Sequence, residues 1–169
     1  MTSRTDGGSH MSPGLLKVAE RARRDPDARF NSLAHLVDEA ALGRAFTRIR
    51  KDAGVGVDGI TKEQYGQHLE ENLQGLHERL KSMRYRHQPI RRVHIPKASG
   101  KKRPIGKPSF EDKIVQRACV MLLSPVYDHD FYDFSHGFRS GHSQHGALKE
   151  FERHCWEKNI NWIVDADVS

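Results

Sequence analysis

The sequence predicts an α+β protein, mainly helical, with one small antiparallel β-hairpin. Three observations carry that prediction. Apolar residues recur at helical spacing along most of the chain. One stretch, residues 90–106, switches to strand-like alternation around a glycine turn. A second apolar run, residues 161–168, is too short for a helix and has strand composition.

The elements follow in chain order. The first residues, MTSRTDGGSHMSPG, are polar, so residues 1–13 are expected to be a disordered leader; GSHM at 8–11 has the look of an appended tag, with Met11 as an alternative start. Residues 14–24 are expected to be helical and to stop at Asp25-Pro26. A second helix is expected over 38–52, capped by Asp38, with Leu42, Phe46 and Ile49 on one face. The glycines of residues 54–59 predict a loop in which Asp58 forms a turn. Thr61 and Gln64 have capping-box spacing. Behind them Tyr65, Leu69, Leu73, Leu76, Leu80 and Met83 form an apolar stripe, read as one long helix over 61–83 with its stripe in the core.

Next comes the hairpin. Residues 90–96 form its first strand, ASGKK its turn, and RPIG starts the return strand. Ser109 is expected to cap a helix running to about residue 124, with Pro125 ending or restarting it. Ser143 opens a last helix to Glu157, and residues 161–168 form a strand.

Composition bounds the function. Of 169 residues, 36% are hydrophobic and 30% are charged, and no apolar run is long enough to span a membrane. Cys119 and Cys155 have no Cys-x-x-Cys partner, so they are expected to be reduced thiols. The net charge is +6, but it is unevenly placed. From Arg79 to Lys107 there are eleven Lys or Arg and no Asp or Glu, whereas the chain before holds eleven cations against twelve acids. A solvated face normally mixes signs, so this band points to a polyanion, nucleic acid first; a basic surface with no partner is the alternative.

Two local patterns carry chemistry. In Trp162-Ile163-Val164-Asp165-Ala166-Asp167-Val168, Asp165 and Asp167 would share a strand face. Carboxylates at a strand end are one way to hold Mg²⁺; they are also ordinary loop starters, and the pattern alone leaves both readings open. In IPKASGKKRPIG, Lys97 and Arg103 flank the turn and could grip a triphosphate, while Arg91 and Arg92 could follow a nucleic-acid backbone. His142 and His145, spaced i and i+3, could bind a metal, or could be surface or RNA-stacking histidines.

Four ordered blocks, GVGVDGIT, RRVHIPKASGKKRPIGKPSFEDKIVQ, HGFRSGHSQHGAL and WIVDADV, resemble the group II intron reverse transcriptase/maturase family. The resemblance covers roughly residues 40–169. It implies the fingers of a right-hand polymerase over 14–160 and an incomplete first strand of the palm over 161–169. It implies that Asp167 is the first catalytic aspartate and binds both Mg²⁺ ions, with Val168 lending a carbonyl. Lys97 and Arg103 would contact the triphosphate of a dNTP. Arg91 and Arg92, and Gly137, Phe138 and Arg139, would contact RNA template. Template and intron RNA, a DNA primer and dNTP are the implied partners, in a bacterial cytoplasm; a homodimer is left open.

The sequence departs from the family pattern at several places: His136 stands for a tyrosine, Ser140 for a proline, His142 for an arginine, Gly146 for an aspartate and Lys107 for an aliphatic residue. No Tyr-x-Asp-Asp occurs. Two-metal catalysis needs more carboxylates than Asp167 supplies, so the chain by itself is expected to be inactive. The alternatives are a non-catalytic RNA-binding remnant of a mobile element, or a fragment that does not fold stably.

Overall fold

The computed structural model describes residues 11–96, 100–139 and 141–166. Among them are six α-helices and one two-stranded antiparallel sheet, as the α+β expectation requires. The chain forms two units, one of Ser12–Val126 and a second built mainly on residues from Tyr127 onward.

In the first unit, α1 (Pro13–Arg24) opens on Ser12, whose hydroxyl accepts from the Leu15 N–H at 3.3 Å, with Pro13 in the first turn where its missing N–H costs nothing. Asp38 caps α2 (Glu39–Arg48) by accepting from the Ala41 N–H at 2.7 Å. This helix ends earlier than the 38–52 expected. The reason is Lys62, whose ammonium donates to the Thr47 and Ile49 carbonyls at 3.0 and 2.6 Å and closes the helix end from outside. Burial and the nearby Lys51 push the Lys62 pKa down.

Both halves of the Thr61–Gln64 capping box are formed, at 3.2 and 2.9 Å. The single long helix expected over 61–83 is corrected: it is divided into α3 (Lys62–Gly66) and α4 (Leu69–Lys81). The Asn72 amide donates to the Tyr65 carbonyl at 3.0 Å. A continuous helix would have offered that carbonyl to the Leu69 N–H. The stripe itself does face the core: Tyr65, Leu73 and Leu76 are buried, and Leu69 and Leu80 pack against them. Met83 is the exception, since it lies past the end of α4 with φ 58° and is exposed.

Strands β1 (Arg91–Pro96) and β2 (Lys102–Lys107) form the hairpin. Helix α5 (Phe110–Tyr127) then supplies Phe110, Ile114 and Ala118 to a core shared with Leu42, Ala45, Tyr65, Leu73 and Leu76. Phe46, Tyr65 and Phe110 are mutually packed, with ring centroids 5.2–6.1 Å apart. Pro125 does not end α5, contrary to expectation; it sits in the last turn, where only one intrahelical bond is lost.

In the second unit, Ser143 caps α6 (Gln144–Glu157) by accepting from the Gly146 N–H at 3.0 Å. The strand expected over 161–168 is not formed over residues 161–166. An apolar run becomes a strand only with a ladder partner, and the only strands among the described residues are β1 and β2.

Candidate nucleic-acid interface

The structure divides the basic band in two. Arg79 is scaffold: it pairs with Glu111 at 2.7 Å, and Glu111 also accepts from the Tyr65 hydroxyl at 3.2 Å. Arg84 donates to the Ser82 hydroxyl, and Arg86 to the Met83 and Tyr85 carbonyls. Arg84 and Arg86 are thus held by neutral groups of their own segment. Arg91, Arg92, Lys101, Lys102, Arg103 and Lys107 have no carboxylate partner among the described residues.

The register sorts these cations by face. Arg91 lies opposite Lys107, Val93 opposite Ile105, and Ile95 opposite Arg103. Residues directly opposite, and every second residue along a strand, share a face. Arg91, Arg103 and Lys107 therefore lie on one face around Val93, Ile95 and Ile105. Arg92 and Lys102 lie on the other, with His94 and Pro104. Sequence alone grouped Arg91 with Arg92; the pleat separates them and groups Arg91 with Arg103. Lys97 lies outside the described residues.

Two anchors fix the base of this hairpin. Asp112 is one, at 4% exposure. It accepts from the Tyr85 hydroxyl, the Ser109 hydroxyl at 2.7 Å and the Gln88 N–H at 3.2 Å. Ser109 in turn accepts from the Asp112 N–H at 3.2 Å, which caps α5. This network ties the chain entering β1 to the helix leaving β2. Burial by itself would raise the Asp112 pKa; the hydrogen bonds from Tyr85, Ser109 and Gln88 outweigh it and hold the carboxyl below its ordinary value. For the Tyr85 hydroxyl, burial and the Asp112 carboxylate both act to raise the pKa.

The glycine loop is the other anchor. Asp58 accepts from the Ile60 N–H at 3.4 Å and from the Phe110 N–H at 3.0 Å, so it forms a turn, as expected, and also caps α5 from a distance. Gly56 runs so close to Pro108 and Ser109 that a Cβ there would meet the Pro108 carbonyl oxygen at 2.3 Å. The Lys113 ammonium donates to the Gly54 carbonyl. Burial pushes the Lys113 pKa down, and nearby Lys107 adds to this against the opposing pull of Asp58.

In the second unit, Gly137, Phe138 and Arg139 fall into unequal roles. The Arg139 side chain is only 11% exposed. Its guanidinium donates to the carbonyls of Asp128, Tyr132 and Ser135 and to the Asp128 carboxylate, and it lies over the Phe131 ring. Those bonds occupy the guanidinium fork within the loop. Phe138 is fully exposed with φ 59°, a backbone region that bulky residues rarely adopt. His136 donates from Nε2 to the Glu150 carboxylate at 2.8 Å, and its Nδ1 lies 3.2 Å from the Nδ1 of His142. The described residues hold no group of three His, Cys, Asp or Glu arranged for a metal. Asp167 and Val168 lie outside the described residues. Cys119 and Cys155 are free thiols.

Sequence reasoning missed Lys113 and Asp112. The signal for Asp112 was present as Ser109-x-x-Asp112, the spacing of a helix cap with an acid three residues on. For Lys113 there was none, because its partner is a backbone carbonyl in a loop 59 residues away.

Comparison with known proteins decides the family. No family model matches the chain. Protein YkfC of Escherichia coli K12 is 37% identical over 160 residues, which is 90% of this chain and 42% of that protein. The group II intron-encoded protein LtrA of Lactococcus lactis is 35% identical over 156 residues, 91% of this chain and 26% of LtrA. A 91 kDa protein in the cob intron of Schizosaccharomyces pombe is 31% identical over 124 residues. The chain belongs to the group II intron-encoded protein family. It spans less than half the length of YkfC and about a quarter of LtrA. The similarity runs over most of the chain, so it includes the hairpin and α5. No helix among the described residues of this intron-encoded-type chain is long and apolar enough to cross a membrane.

Proposed function

We propose that this chain is the fingers region of an RNA-directed DNA polymerase of the group II intron type, and that its β1–β2 hairpin binds RNA. The observation that carries the reading is the face formed by Arg91, Arg103 and Lys107, three cations with no carboxylate partner among the described residues. Like charges placed directly opposite on a ladder, as Arg91 and Lys107 are, destabilise it unless an anion lies between them. A phosphate backbone supplies such anions at regular spacing. With a dNTP bound, Arg103 and Lys97 would hold its triphosphate; without one, Arg103 is open to RNA phosphate. Phe138, on the loop braced by Arg139, would lie against template. Asp167 and Val168 would hold magnesium, which would bring the primer hydroxyl and triphosphate together.

The chain by itself is proposed not to polymerise, because it contains no pair of adjacent aspartates to complete the ligand set of Asp167. Purified chain, primer–template and Mg²⁺ should give no extension. RNA binding should persist in Asp167→Asn and fall about ten-fold in Arg91→Ala/Arg103→Ala, because two phosphate-neutralising charges are removed. Primer extension abolished by Asp167→Asn would overturn the inactivity; RNA affinity indifferent to Arg91 and Arg103 would overturn the assignment of the hairpin.

A further inference from the structure

A second basic feature lies at the base of the hairpin, where two lysines converge on one glycine. Lys113 donates its ammonium to the Gly54 carbonyl. The Lys107 ammonium lies 3.1 Å from the point a Cβ on residue 54 would occupy, so the absence of a side chain at Gly54 makes room for it. Neither lysine is fully exposed. Arg91 lies across the ladder from Lys107 on the same face. The carboxylate nearest in influence is Asp58, and both its oxygens are already taken by the Ile60 and Phe110 N–H groups. Two partly buried lysines thus share one corner, with the exposed Arg91 on the same strand face and Asp58 as the carboxylate acting on Lys113. Holding ammonium groups together out of water is costly, and the cost is relieved when an anion joins them.

We propose that Lys107 and Lys113, with Arg91, form a binding site for one backbone phosphate of a bound RNA strand, beside the Gly54 carbonyl. This inference rests on the reading of the hairpin as an RNA-binding element and adds to it a fixed phosphate position at Lys107 and Lys113, to which the resemblance gave no role. An arginine is suited to grip phosphate with two parallel hydrogen bonds, and a lysine acts as a point charge beside it. A phosphate at this position would set where the strand crosses the hairpin without reading its sequence.

The test is equilibrium binding of the chain to single-stranded RNA across a salt series. The variants are Lys107→Gln, Lys113→Gln, the pair together, and Lys107→Arg. Glutamine at 113 keeps a donor for the Gly54 carbonyl while removing the charge, and thermal unfolding checks that each variant folds. If both lysines serve one phosphate, the slope of log K against log salt falls by about 0.7 in Lys107→Gln and by no more in the pair. Lys107→Arg restores it. An unchanged slope, or a pair that loses twice as much as the single variant, overturns the shared site. If these variants behave as wild type while Arg91→Ala/Arg103→Ala loses affinity, this inference fails and the hairpin reading stands. If the unaltered chain binds no RNA, both fail.

Discussion

Replacing Asp112 with alanine is expected to cost the Ser12–Val126 unit about 3–5 kcal/mol, the penalty typical of removing one side of a buried charged network. Three donors aim at this carboxylate: the Tyr85 and Ser109 hydroxyls and the Gln88 N–H. Ser109 is 1% exposed and Asp112 is 4% exposed, so water cannot readily take over. Domains of this size are stable by only about 5–15 kcal/mol, so the variant should unfold at markedly lower urea. The same residue gives a pH dependence with a definite sign. Its folded pKa lies below the ordinary 3.8. Its contribution to stability is therefore fully present above that ordinary value and is lost as pH falls through the lower folded pKa. Urea midpoints measured from neutral pH down through the ordinary carboxylate range should fall with acid in the wild type and fall less in Asp112→Asn. An Asp112→Ala midpoint equal to wild type would show that the network does not hold the hairpin base.

Gly56→Ala should cost about 3 kcal/mol, at the upper end of what overpacking usually does. The new methyl would meet the Pro108 oxygen at 2.3 Å and the Ser109 Cα at 2.6 Å. Both are backbone atoms at the start of α5, so no side chain can swing away. The loop would have to lift, and Asp58 would lose its bond to the Phe110 N–H. Gly59 is the control. It has φ +67° with nothing within 4 Å of its missing Cβ, and asparagine tolerates that conformation. Gly59→Asn should therefore cost under about 1 kcal/mol by urea titration. Equal losses at both positions would mean that close approach at Gly56 is not the cause.

Much of this fold was legible because it depends on short-range rules. Asp38, Thr61 and Ser143 cap helices as their spacing implies, whereas Ser12, read as part of a disordered leader, is also a cap. The hairpin followed from alternation around a glycine turn. The misreadings share a physical origin in interactions remote in sequence or absent from the pattern. Periodicity from Tyr65 to Leu80 is unbroken, yet the Asn72 side chain takes the carbonyl that a continuous helix would need. Helix α2 stops where Lys62 reaches back to it from beyond the glycine loop. Pro125 was read as ending or restarting the helix, although the last turn of a helix can carry it. Residues 161–166 have strand composition, but composition does not provide a neighbour to pair with.

The site was less legible than the fold. Sequence located the basic band but could not separate Arg79, which Glu111 holds, from the hairpin cations, which no described carboxylate holds. Nor could it tell that Arg139 is spent on carbonyls of its own loop. Both distinctions depend on which groups come together only after folding.

The most direct test of the central claim is photo-crosslinking of the chain to single-stranded RNA, followed by mapping of the modified peptides. Adducts concentrated within residues 91–107 are the predicted result. Adducts confined to residues 127–166, with none on the hairpin, would contradict the assignment of β1 and β2 as the RNA-binding face.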